Sequence, residues 1–269
     1  RGTTPMDMQW QFNRADLAGA RQAALEIPDV GVADVGWYRI VARNGLGTAF
    51  SAEAALALVP VAAWGLNTYG QTSVPVDVGE VVEVDASYSG SLARRSDGSL
   101  RFWGLLYTYP PWPMDESEAV GPFVAASAGY DHFVALRADG KVVVWSLVQL
   151  ELANVPLDLG YVVAVDAGRH HNVVLQSDGN AVAWGRNDEG QCAVPSAASN
   201  LVAVAGGRAH SVALRADGHV LAWGGNDHGQ TDVPSDLTDV IGIDAGADYS
   251  LALRADGTVA AWGDIVSPP

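Results

Sequence analysis

The chain has 269 residues, 49% of them hydrophobic, which is room for one large repeat domain with a small neighbour and too apolar for wholesale disorder. Its formal net charge of -16 argues against nucleic acid as a partner, because nucleic-acid binders present basic surfaces and gain affinity from counterion release. The single cysteine, Cys192, rules out an intrachain disulfide and a cysteine zinc cluster, and no apolar run approaches the roughly 20 residues that span a bilayer.

Residues 1–58 form the first predicted unit. Met8 to Phe12 alternates around Trp10, Ala24 to Ile27 follows, and Asp34-Val-Gly-Trp-Tyr38 leads into an alternating strand that runs to Asn44. The run Asp-x-Gly-x-Tyr before a strand is similar to the tyrosine corner of an immunoglobulin-like sandwich. That resemblance implies Tyr38 as the corner residue and Trp10 as the core tryptophan. Ile40 stands where that family often has its second cysteine, and the usual first strands are missing, so a partial domain is expected. The chain starts at Arg1 without an apolar signal segment, so it reads as a piece of something longer or as a processed product.

From residue 59 to 269 a period takes over. Trp64, Trp103, Trp145, Trp184, Trp223 and Trp262 are separated by 39, 42, 39, 39 and 39 residues. A period near forty that carries several short apolar runs is the signature of a propeller blade. Between tryptophans the runs are punctuated by Asp-Gly, at 97–98, 139–140, 178–179, 217–218 and 256–257, and Asp-Gly between apolar runs is a strong hairpin signal. After the tryptophan, Trp-Gly-x-Asn-x-x-Gly-Gln-x-x-Val-Pro occurs intact at 64–75, 184–195 and 223–234. Its Asn and Gly read as a turn, and Val-Pro as the end of a short fourth, outer strand. The expectation is an all-β propeller of four-stranded blades, about five to six of them, with all six tryptophans buried between blades.

Ala-Gly-x-x-His-Ser-x-Ala-Leu, Asp-Gly-x-Val and Trp-Gly-x-Asn-x-x-Gly-Gln resemble the regulator-of-chromosome-condensation repeat family over about residues 61–269. The resemblance implies a β-propeller, typically of seven blades. Seven blades of 39 residues exceed the length available, so a partial ring, a smaller ring or a fragment is expected. An open edge of this kind invites self-association. The clipped repeats are similar to bacterial members, which include a secreted propeller that inhibits β-lactamases, more than to the nucleotide-exchange factors that act on a small GTPase.

Nothing in the chain composes a catalytic site, and no cofactor or metal is expected. His132, His171 and His210 share one repeat position, one per blade, so they cannot converge on a metal; each is expected to bond backbone inside its own blade. Two acidic turns, at 187–190 and 226–229, lack the alternating carboxylates and closing glutamate of a calcium loop. Surfaces remain. The loop between first and second strands carries Tyr88, Tyr130, Arg169, His170, Arg208 and Tyr249, and repetition gathers such loops on one face of the ring. Aromatic and arginine side chains suit the centre of an interface. The aberrant second interval presents Tyr107, Tyr109 and Trp112 among prolines, a second candidate. These observations predict a non-enzymatic protein-binding or structural module of a bacterial secreted or cell-surface protein. A β-lactamase-type inhibitor is the first alternative and a guanine-nucleotide exchange factor the second.

Overall fold

The computed structural model describes residues 6–28, 32–56, 61–104, 121–146 and 150–265. The chain divides into two compact units, Arg1–Pro60 and Val61–Pro269, two residues from the expected boundary.

The first unit is one antiparallel sheet. Strands β1 (Asp7–Phe12), β2 (Ala15–Asp16), β3 (Gly36–Asn44) and β4 (Gly47–Phe50) run in the order β2-β1-β3-β4, and β5 (Ala54–Leu56) also pairs with β3. Tyr38 is buried against Phe12, with ring centroids 5.0 Å apart, and its hydroxyl donates to the Asp34 carbonyl at 2.7 Å. That bond is the one a tyrosine corner makes. The sandwich expectation goes no further: a second sheet is absent among the described residues, and Trp10 is half-buried, its indole N–H donating to the Gln22 carbonyl at 3.0 Å.

The second unit is five successive three-stranded antiparallel sheets among the described residues. Blade 1 is β6 (Val81–Ala86), β7 (Gly90–Arg95) and β8 (Leu100–Gly104). Blade 2 is β9 (Phe123–Ala128), β10 (His132–Arg137) and β11 (Val142–Ser146). A short helix, α1 (Leu150–Ala153), leads to blade 3, which is β12 (Val162–Ala167), β13 (His171–Gln176) and β14 (Ala181–Gly185). Blade 4 is β15 (Leu201–Gly206), β16 (His210–Arg215) and β17 (Val220–Gly224), and blade 5 is β18 (Val240–Ala245), β19 (Tyr249–Arg254) and β20 (Val259–Gly263). The Asp-Gly pairs make the second hairpin of each blade. At Gly218 φ is +81°, which glycine adopts without strain, and the Asp217 carboxylate accepts the His219 amide at 3.3 Å.

The expected fourth strand is absent among the described residues. The Asn-x-x-Gly-Gln-x-x-Val-Pro segment is consumed by a side-chain-tied turn instead. In 186–195 the Asn187 side chain accepts the Cys192 amide at 2.8 Å, and the Gln191 side chain accepts the Glu189 amide at 3.0 Å. The same pair of bonds recurs at Asn226 and Gln230. With the loop bonded to itself, and Pro195 lacking a donor, no ladder to the neighbouring strand develops.

The core lies between blades. Trp262 packs on Leu214, Ala203 and Val220 of the preceding blade, and Trp223 on Leu175, Ala164 and Ala181. Trp103, Trp145, Trp184, Trp223 and Trp262 are all buried. Four of these indoles donate to a carbonyl 32 residues earlier, Gln71, Leu152, Gln191 and Gln230, at 2.9 to 3.0 Å. Trp64 departs from the expectation: it is 86% exposed. It lies outside any described strand, and no hairpin among the described residues shelters it as one shelters its counterparts.

Each first strand skips one residue in its pairing, and the skipped side chain turns out to solvent. Val82, Val124, Val163, Val202 and Ile241 are these bulge residues, and all are exposed. The first strands lie side by side, β6 on β9, β9 on β12, β12 on β15 and β15 on β18. Between blades 5 and 1 no comparable packing joins β18 to β6. On the outer face of blade 5, Leu253 is 39% exposed, whereas its equivalent Leu214 is 2% exposed beneath blade 5.

Candidate protein-binding face

In blades 2 to 5 the loops between first and second strands begin with Ala-Gly or Gly-Gly, and the tight spacing is forced by what lies behind them. A Cβ on Gly129, Gly168 or Gly207 would overlap the imidazole of His132, His171 or His210. Each loop closes on itself, for example Gly168 N–H to the His171 carbonyl at 2.9 Å. Successive loops are then stitched to one another. Tyr130 donates to the Arg169 carbonyl at 3.2 Å, Arg169 to Gly207 at 3.0 Å and Arg208 to Ala247 at 3.1 Å. The main-chain donors of these positions are spent on the stitching, which leaves only side chains of these positions free to make further contacts.

Behind the loops two of the histidines, His171 and His210, join blades, contrary to the expectation of bonds within one blade. His171 Nε2 lies 3.0 Å from the Ser211 hydroxyl of blade 4, and His210 Nε2 3.0 Å from the Ser250 hydroxyl of blade 5. Those hydroxyls donate to the Gln191 and Gln230 carbonyls at 2.9 and 2.8 Å, so they accept from the imidazoles, which places the histidine proton on Nε2. Burial drives the His171 pKa down to about 3 and that of His210 to about 4, so both rings are neutral at physiological pH. On the first strand of blade 3, Asp166 accepts from the Ser127 hydroxyl at 2.6 Å and from the Gly206 amide at 2.7 Å, tying blades 2, 3 and 4 together. Burial raises its pKa to about 6.

The loops of all five blades surround a cavity of about 480 Å3, floored by Ala-Gly backbone. Tyr88, Tyr130, Arg169 and Arg208 line it together. Tyr88 stacks on Tyr130 with centroids 4.9 Å apart, and the Arg169 guanidinium sits over Tyr130 at 4.6 Å. His170 meets the edge of Tyr130 at 5.4 Å, with its Nδ1 3.4 Å from Asp131. Arg208 pairs with Asp248 of the next blade at 2.8 Å. Tyr249 stands apart: it occupies the histidine position of blade 5, its ring covering Gly246, and does not line the cavity. Tyr107, Tyr109 and Trp112 lie outside the described residues. The sequence reading missed Tyr69, which extends the stack to Tyr88 at 6.2 Å from the variable part of the post-tryptophan turn. Asp131 and Asp248, which the sequence also places in these loops, face His170 and Arg208 of the neighbouring blades, a pairing the sequence does not mark.

Cys192 is half-buried in its turn, and burial pushes its thiol up to about 11, so it is not a thiolate at neutral pH. No cluster of metal-ligating side chains occurs among the described residues, and no described helix is long and apolar enough to cross a membrane.

Residues 123–147, 162–191 and 201–230 are blade 2 and then blades 3 and 4 with their following turns. They match the regulator of chromosome condensation (RCC1) repeat. Blades 2, 3 and 4 therefore carry the repeat match, and the described unit as a whole has the successive antiparallel sheets of a β-propeller. Among solved structures, Prp20p from Saccharomyces cerevisiae is 17% identical, with a TM-score of 0.62 over 97% of this chain and 82% of that one. That protein is described with binding to Gsp1p and histones. The CRINKLY WD40 ectodomain of the Arabidopsis thaliana receptor kinase ACR4 is 20% identical, with a TM-score of 0.53 over 69% of this chain. The ectodomain of the Physcomitrella patens receptor kinase CR4 is also 20% identical, with a TM-score of 0.56 over 70% of this chain. The chain spans 64% and 53% of those two ectodomains. At these identities the likeness concerns the fold. No curated protein matches the sequence.

Proposed function

We propose that this chain is a non-enzymatic protein-interaction module that binds its partner on the loop-lined face, as part of a bacterial extracellular or cell-surface protein. One observation carries the reading. Five loops of a rigid, blade-stitched scaffold converge on a single cavity walled by a Tyr–Tyr–Arg stack. Rigid aromatic and arginine side chains around a concavity are the composition of an interface hot spot. The RCC1-repeat match and the acidic surface agree with a soluble recognition unit.

The test is capture of partners from the source cells by the full chain and by Tyr88→Ala/Tyr130→Ala, followed by cross-linking to locate the contact. Loss of the cross-linked partner with an unchanged thermal midpoint is expected. A partner retained by the double variant would overturn the assignment of the face. A second reading, inhibition of a β-lactamase, is favoured by the clipped form of the repeats; it requires that the chain slow such an enzyme and that the same two substitutions relieve it.

A further inference from the structure

Two of the loops carry an arginine at the same repeat position, and only one of the two has a counter-ion among the described residues. Arg208 of blade 4 reaches Asp248, 40 residues on, at 2.8 Å. Arg169 of blade 3 holds the same loop position, and 40 residues on from it stands Ala209. Among the described residues no carboxylate lies within ion-pair distance of Arg169, in a chain with 31 acidic residues, and its buried Nε has no hydrogen-bond acceptor. Its position is nevertheless built: the guanidinium rests on Tyr130 at 4.6 Å and lines the cavity of about 480 Å3. The buried Nε carries a desolvation cost that an acceptor entering the cavity would relieve.

We infer that Arg169 is the receptor for a carboxylate side chain of an acidic peptide segment in the partner, with Tyr88 and Tyr130 holding the aromatic or aliphatic residue beside it. The inference rests on the proposed binding face and specifies its ligand. The geometry selects a carboxylate over the alternatives. A basic segment would meet Arg169 itself across the stack, and the nearby carboxylates are engaged, Asp131 by His170 and Asp248 by Arg208. A phosphate would want several donors, yet the loop amides of Tyr130, Arg169 and Arg208 are committed to the neighbouring loops. The net charge of -16 does not decide against an anion, because at physiological salt charges beyond about 8 Å are largely screened.

A pool of N-acetylated, C-amidated random peptides selected on the full chain tests this. Peptides carrying Asp or Glu beside an aromatic residue should be enriched. For such a peptide, Glu→Gln in the peptide or Arg169→Gln in the protein should each weaken binding by about tenfold, and the two together by no more than either alone. Arg169→Lys should restore part of the affinity, and Arg208→Gln should matter less, since that arginine is already paired. Enrichment of Lys- and Arg-rich peptides, or acidic peptides that bind Arg169→Gln undiminished, would overturn the inference. Binding confined to a parallel pool with free C-termini would do the same, because the carboxylate would then be terminal. Non-acidic peptides that are lost on Tyr88→Ala/Tyr130→Ala would leave the face standing and remove only its ligand class. No enrichment, or enrichment indifferent to every substitution, would remove both.

Discussion

The side chains at one repeat position can do unequal work, and the tryptophans show it. Trp223 fills the space against Leu175 and donates to the Gln191 carbonyl at 2.9 Å. Trp223→Ala should therefore cost about 3–5 kcal/mol, whereas Trp64→Ala, at an 86% exposed site, should stay within about 0.5 kcal/mol. Denaturant midpoints of the two variants, compared at equal slope, check both. The buried histidines and Asp166 set opposing responses to acid. His171 and His210 have folded pKa values below the unfolded value of 6.5, so their stabilisation is complete above 6.5 and drains away as pH falls toward about 3 and 4. At about pH 4.5 this amounts to roughly 2–3 kcal/mol for each ring. Asp166, raised to about 6, acts in reverse: protonation favours the fold as pH drops from about 6 to its unfolded 3.8, returning about 2 kcal/mol by pH 4.5. The histidines win, and thermal melts should show net destabilisation by about 3 kcal/mol between pH 7 and 4.5. Asp166→Asn keeps an acceptor for Gly206, so it should raise stability near pH 7.5 and steepen the acid loss; a melt profile identical to that of the parent would contradict the assignment.

At the scale of strands and turns, chemistry visible in the sequence gave way wherever a side chain competed with the backbone. The Asp-Gly hairpins follow from glycine alone, so Gly218→Ala, at φ +81°, should destabilise blade 4 by about 1 kcal/mol or more in the same denaturant assay. The tryptophan period and these hairpins were legible because each depends on residues close in sequence. The outer strand was misread because Val194-Pro195 alternates like a strand edge, while the Asn187 and Gln191 side chains that tie the segment into a turn act at short range with no hydrophobic mark. The bulges were invisible for a related reason. Val202 and Ile241 look like core residues, and only the skipped pairing turns them outward. Val202→Lys should accordingly be tolerated within about 0.5 kcal/mol, whereas the same change at the fully buried Val212 should unfold the blade, a contrast that circular dichroism reads directly. Of the proposed binding face, the loop positions could be read from the period; the pairing of Arg208 and the solitude of Arg169 could not, since both depend on a neighbour one blade away.

For the molecule as a whole, blade 5 ends in an uncovered apolar face, with Leu253 39% and Val259 61% exposed. Exposed apolar sheet faces promote association. Sedimentation should show mass rising with concentration, and Leu253→Lys/Val259→Lys should suppress that rise; a concentration-independent monomer would count against it. The stride of the interblade bonds has a different consequence. A histidine finds its serine 40 residues ahead, and an indole its carbonyl 32 residues behind, so no blade owns all the partners it needs. The heritable piece is then a length of chain rather than a sheet, and its cut points are free so long as the stride survives. Excising residues 186–224 would bring Gly185 to Gly225 and set Ser250 forty positions beyond His171, so a four-bladed descendant should still fold. Removing half that length would strand every donor between neighbours. Lineages of this module should grow and shrink by whole periods, as a tape spliced only in step with its own perforations.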